Sequence, residues 1–321
     1  MAICSSATVR DSIQLVNNIG VLSSQSGKFA LILQNAAAST YDKAVRLRPL
    51  CPTRWTVRGK AINAVLKHYE EIIQALEEMS ANNGDAAARA AGLQTQLEKG
   101  SNLLGLLIAQ DLIEPLEVLN TTIQGRQNTS SGMQEAVDHI KQVFAAKRNE
   151  EAFQNLFEKA QKIQSELDLE GITCRRQRCL PKRYSGTGES YRASNALEFY
   201  KIEYSKVIDT AQSQLTEKFH QVGIEKYHKL EKTLITGKVE TQLLKYPEID
   251  EHTLQIQIQM FRQQFQYKTV QEAATMLLSF VPEVRYIFSQ VEVLLRLIHV
   301  IPLTSCETEC SFSALRRLKR G

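Results

Sequence analysis

The stretch Ala61-Ile62-Asn63-Ala64-Val65-Leu66-Lys67-His68-Tyr69-Glu70-Glu71-Ile72-Ile73-Gln74-Ala75-Leu76 decides the fold class. Ile62, Val65, Leu66, Tyr69, Ile72, Ile73 and Leu76 recur at three- and four-residue spacing, the period of an amphipathic helix. Asn82-Asn83-Gly84-Asp85 is expected to close that helix in a turn. The same period extends outward. Leu103 to Ile123 is apolar-rich, and Pro115 is expected to kink or split it. Met133, Val137, Ile140 and Phe144 form a third stripe; Phe153, Leu156, Phe157, Ala160, Ile163 and Leu167 form a fourth. Leu197, Tyr200, Tyr204, Ile208, Ala211, Leu215 and Phe219 mark a long helix. Further stripes run through Tyr227 to Ile235, Leu254 to Phe265, Val270 to Val281, and Val284 to Val300. Leu254-Gln255-Ile256-Gln257-Ile258 fits a strand period equally well. Alternating patterns are otherwise almost absent, so the expected fold class is all-α, with a helical layer on either side of a basic connector at 171–194.

Composition sets the outer bounds. The 321 residues suffice for one large or two modest domains with a sizeable core. The hydrophobic fraction of 43% and charged fraction of 23% are those of an ordinary soluble protein. A net charge of +4 implies no general polyanion-binding field. Met1 is followed by neither a basic stretch with a long apolar core nor an Arg/Ser-rich presequence, and the longest apolar runs are too short to span a bilayer. Six scattered cysteines are expected to be reduced thiols. A nuclear location is expected, with a cytosolic one as the alternative.

Two segments carry more specific information. The first is Ile301 to Lys319. Pro302 stops the preceding apolar run, and Thr304 with Glu307 forms a capping box. Phe312, Leu315 and Leu318 follow at helical spacing, and Arg316, Arg317, Lys319 and Arg320 crowd the last turn, where the helix dipole favours cations. Glu309 lies about 60° around the helix from Phe312, at the edge of the buried face. The second segment is Cys51-Pro52-Thr53-Arg54-Trp55-Thr56-Val57-Arg58, which holds the one tryptophan of the chain. Thr53 as a cap and Trp55 as a staple of the helix entry explain it on packing grounds alone.

Pro302 to Lys319 resembles the terminal block of hAT-family DNA transposases and their domesticated relatives. That block has a Glu-Arg-x-Phe-Ser core, and Cys310 stands here where the family has arginine. The resemblance gives Glu309 the position of the third acid of an RNase H-like metal site. Thr53-Arg54-Trp55 resembles the family's Arg-Trp motif, at the start of a helical insertion within the RNase H-like fold. The variant with Cys51-Pro52 is most similar to the group of zinc finger MYM-type and THAP-associated repressor-like proteins. In active members the tryptophan stacks on an extruded base and the arginine supports the phosphates, so the resemblance implies DNA contact at Arg54 and Trp55. The two motifs stand in the family's order.

The family's two strand-borne aspartates have no counterpart between Met1 and Leu50. Asp11, in Val9 to Val16, is expected to be an early acid at a helix start, and Asp42 a loop or first-turn acid. The zinc modules that target such proteins are absent as well. One glutamate does not make a two-metal site, so the expected chain is non-enzymatic and Glu309 vestigial. No metal or other cofactor and no small-molecule substrate is implied. Cys174 with Cys179, and Cys306 with Cys310, are better explained as thiols and small apolar residues than as zinc ligands. The connector cluster Arg175, Arg176, Arg178, Lys182 and Arg183 is explained as a solvated loop, with nuclear import or weak phosphate contact as alternatives.

By the resemblance, residues 1–50 are a helical remnant of the RNase H-like core. Residues 51–170 and 195–244 are two parts of the helical insertion domain, separated by the connector at 171–194. Residues 245–321 are the hAT C-terminal dimerisation region, expected to be cut short at Gly321. Leu277, Phe280, Val281, Val284, Ile287, Phe288, Val291, Leu294, Leu295 and Ile298 cover more than one helix face there, as burial in a monomer or packing on a partner would require. Phe288, Val291, Leu294, Leu295, Phe312 and Leu315 are the expected dimerisation residues, with a homo- or hetero-dimer as the partner state and DNA at most a weak partner. The alternative function is a fragment of an active DDE-type transposase whose catalytic aspartates and zinc module lie outside this chain.

Overall fold

The computed structural model describes residues 6–38, 47–50, 58–123, 130–174, 193–220, 222–239 and 246–300. Among them the chain is all-α, with a single isolated bridge between Lys99 and Glu170 and no strand. The helices are α1 (Ala7–Gln25), α2 (Gly27–Ala38), α3 (Arg58–Lys67), α4 (Tyr69–Ser80), α5 (Asp85–Leu97), α6 (Gly100–Ile123) and α7 (Ser130–Lys147). They continue as α8 (Glu150–Glu166), α9 (Ala196–Phe219), α10 (Val222–Thr236), α11 (Glu251–Gln264), α12 (Val270–Leu278), α13 (Pro282–Ile287) and α14 (Ser289–Val300). The chain divides into two compact units, Met1–Val118 with Ile140–Gln214, and Leu119–His139 with Leu215–Gly321.

In the first unit, α1, α2, α4 and α5 pack on one another and α3 joins α1 and α4. The stripe at Ile62 to Leu76 is helical, but two helices share it. His68 leaves helical geometry at φ −114° and ψ 34°, and so re-aims α4 relative to α3. Both sides keep their ladder bonds, His68 N–H to Ala64 O at 3.2 Å and Ile72 N–H to His68 O at 3.0 Å. The expected turn does follow α4, which ends at Ser80, but Gly84, at φ +107°, is not its C-cap and stands directly before α5. Asp11 is not at a helix start either: α1 begins at Ala7 and its first turn holds no acid. Pro115 does not split α6, which is continuous through it. Leu103, Leu104, Leu106, Leu107, Ile108 and Leu112 are all buried, so α6 is apolar around most of its girth. A Cβ on Gly20 would stand 2.4 Å from the Arg48 carbonyl oxygen, which is why α1 carries glycine there.

Polar contacts fix α6, α7, α8 and α9 within this unit. The Asp111 carboxylate accepts from the Lys147 ammonium and from the Tyr204 hydroxyl, the latter at 2.6 Å. Arg148 grips Asp209 with both ends of its guanidinium, and Lys201 reaches Glu150 at 2.5 Å. Glu170 N–H donates to Glu98 O and Gly100 N–H to Glu170 O, at 2.8 and 3.0 Å, which holds the segment after α8 against the start of α6.

The second unit has an aromatic centre. Phe261 of α11 lies with ring centroids 5.3 Å from Phe265, 5.3 Å from Tyr267 and 5.2 Å from Phe288. Phe265 and Phe280 approach to 4.9 Å. Such tilted and edge-on pairs each add about 0.5–1.5 kcal/mol beyond area burial. Leu230 and Leu234 of α10 and Val291, Leu294 and Ile298 of α14 close around these rings. One core therefore runs across residue 244, the expected border of the insertion domain.

The ambiguous run at 254–258 is helical, and its glutamines explain the alternation. Leu254, Gln257, Ile258 and Phe261 are buried at helical spacing, while Ile256 is exposed. Gln255 accepts from Val239 N–H at 3.0 Å and donates to Gly237 O at 3.1 Å, clasping the chain after α10. Gln257 accepts from Gln290 N–H at 2.7 Å, and Gln290 in turn accepts from Asp250 N–H at 3.0 Å. The starts of α11 and α14 are thus tied together by two side-chain amides. Gly237, at φ +73°, ends α10 with its N–H on Thr233 O at 2.9 Å.

Candidate association surface

The apolar sequence from Leu277 to Ile298 divides into two populations. Leu277, Phe288, Val291, Leu294, Leu295 and Ile298 are each at most 4% exposed and belong to the aromatic core. Four expected dimerisation residues, Phe288, Val291, Leu294 and Leu295, therefore already have their contacts within the chain. Phe312 and Leu315 lie outside the described residues, as do Arg54, Trp55, Glu309 and the cluster Arg175 to Arg183.

The second population faces outward. Leu278 is 65% exposed, Val281 58% and Tyr286 82%, with Ile287 and Val284 also open. These five side chains lie within ten residues, on the end of α12, its turn and α13. Local rules explain how they come to be presented. Thr269 caps α12 by accepting from Glu272 N–H at 3.2 Å, while Glu272 accepts from Lys268 N–H at 2.8 Å. After Ser279 the turn sends Phe280 inward to the rings and leaves Val281 outside. Pro282 then occupies the first turn of α13, where its missing N–H costs nothing. No residue of α13 is buried.

A helix of six residues is too short to persist by itself, so other contacts must hold α13. Phe288 roots its end in the core. The Arg285 guanidinium donates to both carboxylate oxygens of Glu292 on α14, at 2.8 and 2.7 Å, and Arg296 adds a third bond to Glu292 at 2.5 Å. The Glu292 carboxyl is held below its ordinary range chiefly by Arg285, with Arg296 contributing. With Glu283, which is exposed, the corner carries two acids and two arginines and is locally neutral.

Acids stand close to the stretch that follows Arg54 and Trp55. Gly59 N–H at the start of α3 donates to the Glu117 carboxylate of α6 at 2.7 Å, and Glu114 accepts from Asn63 at 2.6 Å. The N-terminus of α3 is thus capped by a carboxylate where a phosphate would otherwise be favoured.

Among the described residues no three His, Cys, Asp or Glu side chains are grouped to hold a metal ion. Nor is any described helix long and apolar enough to cross a membrane. The exposed corner escaped the sequence pattern because a count of apolar residues does not separate the two populations. The available signal was Pro282, which breaks the run and shifts the stripe on either side of it. Compared with protein-family models, with curated proteins and with solved structures, the chain matches none.

Proposed function

We propose that this chain is a non-catalytic, hAT transposase-derived helical protein that acts by self-association through its C-terminal unit. In this reading the first fifty residues descend from an RNase H-like core, Glu309 is a vestigial acid, and residues 245–321 correspond to the family's dimerisation region. The resemblances at Cys51–Arg58 and Pro302–Lys319 support the descent. The observation that carries the association is the exposed apolar corner of Leu278, Val281, Val284, Tyr286 and Ile287. Five large apolar side chains exposed within ten residues make a patch of the order of a few hundred Å², the size of the largest patch on a typical monomer, which is often functional.

A second copy is the partner that the corner's charge favours. An isologous contact sets each charge against the same surface, so a corner of one sign would repel itself. Here Glu283 and Glu292 balance Arg285 and Arg296. Tyr286 is suited to the centre of such a contact, since buried aromatics dominate small interfaces. An interface of this size falls in the weak class below about 1,200 Å² in total, with dissociation in the micromolar range.

Sedimentation equilibrium of the full chain from about 1 to 100 μM, spanning that range, tests the reading. A monomer–dimer transition that Leu278→Glu abolishes is expected. A monomer at every concentration would refute it.

A further inference from the structure

The pair formed by Arg285 and Glu292 bridges α13 and α14 with two side-chain bonds. Among the described residues, α10, α11, α12 and α14 each bury side chains in the aromatic core, whereas α13 buries none. Its backbone is tied to what precedes and follows it by Arg285 N–H to Val281 O and Phe288 N–H to Arg285 O, both 3.0 Å. Those bonds shape the helix up to the joint at Phe288, where the backbone leaves helical geometry at φ −106° and ψ 30°. The guanidinium–carboxylate fork spans that joint, with two parallel bonds seven residues apart in sequence. A planar fork fixes orientation as well as distance. The Glu292 side chain is 18% exposed and the Arg285 side chain 34%, so the fork is partly shielded from solvent. Arg296, bonded to Glu292 from the next turn of α14, holds the carboxylate at its required rotation.

We infer that Arg285 and Glu292 form a strut that sets the angle of α13 to α14 and thereby positions Val284, Tyr286 and Ile287 for the second copy. This rests on the self-association proposed above. Arg285 and Glu292 are positioning residues: they shape the surface without carrying its apolar area. The consequence is a division of labour. Loss of the strut weakens association but leaves the aromatic core, and hence the global unfolding midpoint, in place. Lysine does not substitute for Arg285, because an ammonium makes no fork.

The test compares the wild-type chain with Arg285→Lys, Glu292→Gln and the double exchange Arg285→Glu with Glu292→Arg, using two readouts. Amide hydrogen exchange over 282–287, taken in the dilute, monomeric range, is expected to quicken about tenfold in the two single variants and to return toward wild type in the exchange. Sedimentation is expected to show a dissociation constant at least about tenfold weaker in the single variants, again recovered by the exchange, at an unchanged urea midpoint. Tenfold corresponds to about 1.4 kcal/mol. Unchanged exchange over 282–287 in both single variants would overturn the strut, whether or not the chain associates. Altered exchange with no dimer in the wild type would instead leave the strut standing and sink self-association. A lowered urea midpoint in the single variants would mean that the pair serves the core, and would also overturn the division of labour.

Discussion

Helices α13 and α14 are neighbours with one residue between them, and both are rich in large apolar side chains, yet they use them in opposite ways. From Phe288 onward, α14 buries residues at 291, 294, 295 and 298 in an aromatic core. Val284, Tyr286 and Ile287 of α13 face out, and the side-chain bonds of that helix to α14 run through Arg285 and Glu292. Apolar content does not identify an interface. What identifies one is apolar surface that remains after the core has been filled, on an element held in place by something other than that surface.

The sharpest break of this comparison is a pair of adjacent truncations. Phe288→Ala removes a ring that touches Phe261, Phe265 and Phe280, and should lower unfolding stability by about 3–5 kcal/mol. Tyr286→Ala, two residues away, should cost under about 0.5 kcal/mol. Urea denaturation reads both, and similar losses for the two would erase the distinction.

A smaller effect concerns how α14 is seated. Gln257→Ala removes the acceptor of Gln290 N–H, and with it the bond between the middle of α11 and the start of α14, while leaving the bond from Asp250 N–H to Gln290 in place. The expected loss is about 1–3 kcal/mol, the range for stranding a shielded donor. An unaffected midpoint would show that water replaces the amide there.

Alkaline pH probes the buried side of the comparison. Burial pushes the Tyr267 phenol up to about 12, opposed by Arg262, and its hydroxyl donates to Leu234 O at 2.9 Å. Burial also pushes the Tyr227 phenol above its ordinary value of 10.0, helped by Glu231. Above pH 10 the unfolded chain has released these protons while the folded chain keeps them, so the unfolded state binds fewer protons. Stability therefore falls as pH rises from about 10 toward the folded values. Tyr267→Phe should make that fall shallower in pH-dependent urea titrations. An unchanged slope would place the loss elsewhere.

The helices were legible in the sequence, because period 3.6 survives wherever one face is buried. Ile62 to Leu76, Leu103 to Ile123 and Phe153 to Leu167 all fold as that period indicates. Three features were not legible, each for a physical reason. The break at His68 changes two backbone angles without interrupting the apolar stripe. The alternation at 254–258 came from Gln255 and Gln257 bonding backbone far along the chain, contacts that only tertiary placement creates. The Arg285–Glu292 fork crosses a helix joint, where neither the three- nor the four-residue pairing rule applies. At the candidate association surface, the apolar residues themselves were visible; which of them the core would consume was not.

Self-association is proposed to run through the α12–α13 corner and not through the α14 face. It is tested most directly by the dimer dissociation constant of Tyr286→Glu, measured by sedimentation alongside its urea midpoint. A dissociation constant weakened at least about tenfold, roughly 1.4 kcal/mol, is expected, with the midpoint of the wild-type chain. A dimer of undiminished affinity in that variant would contradict it.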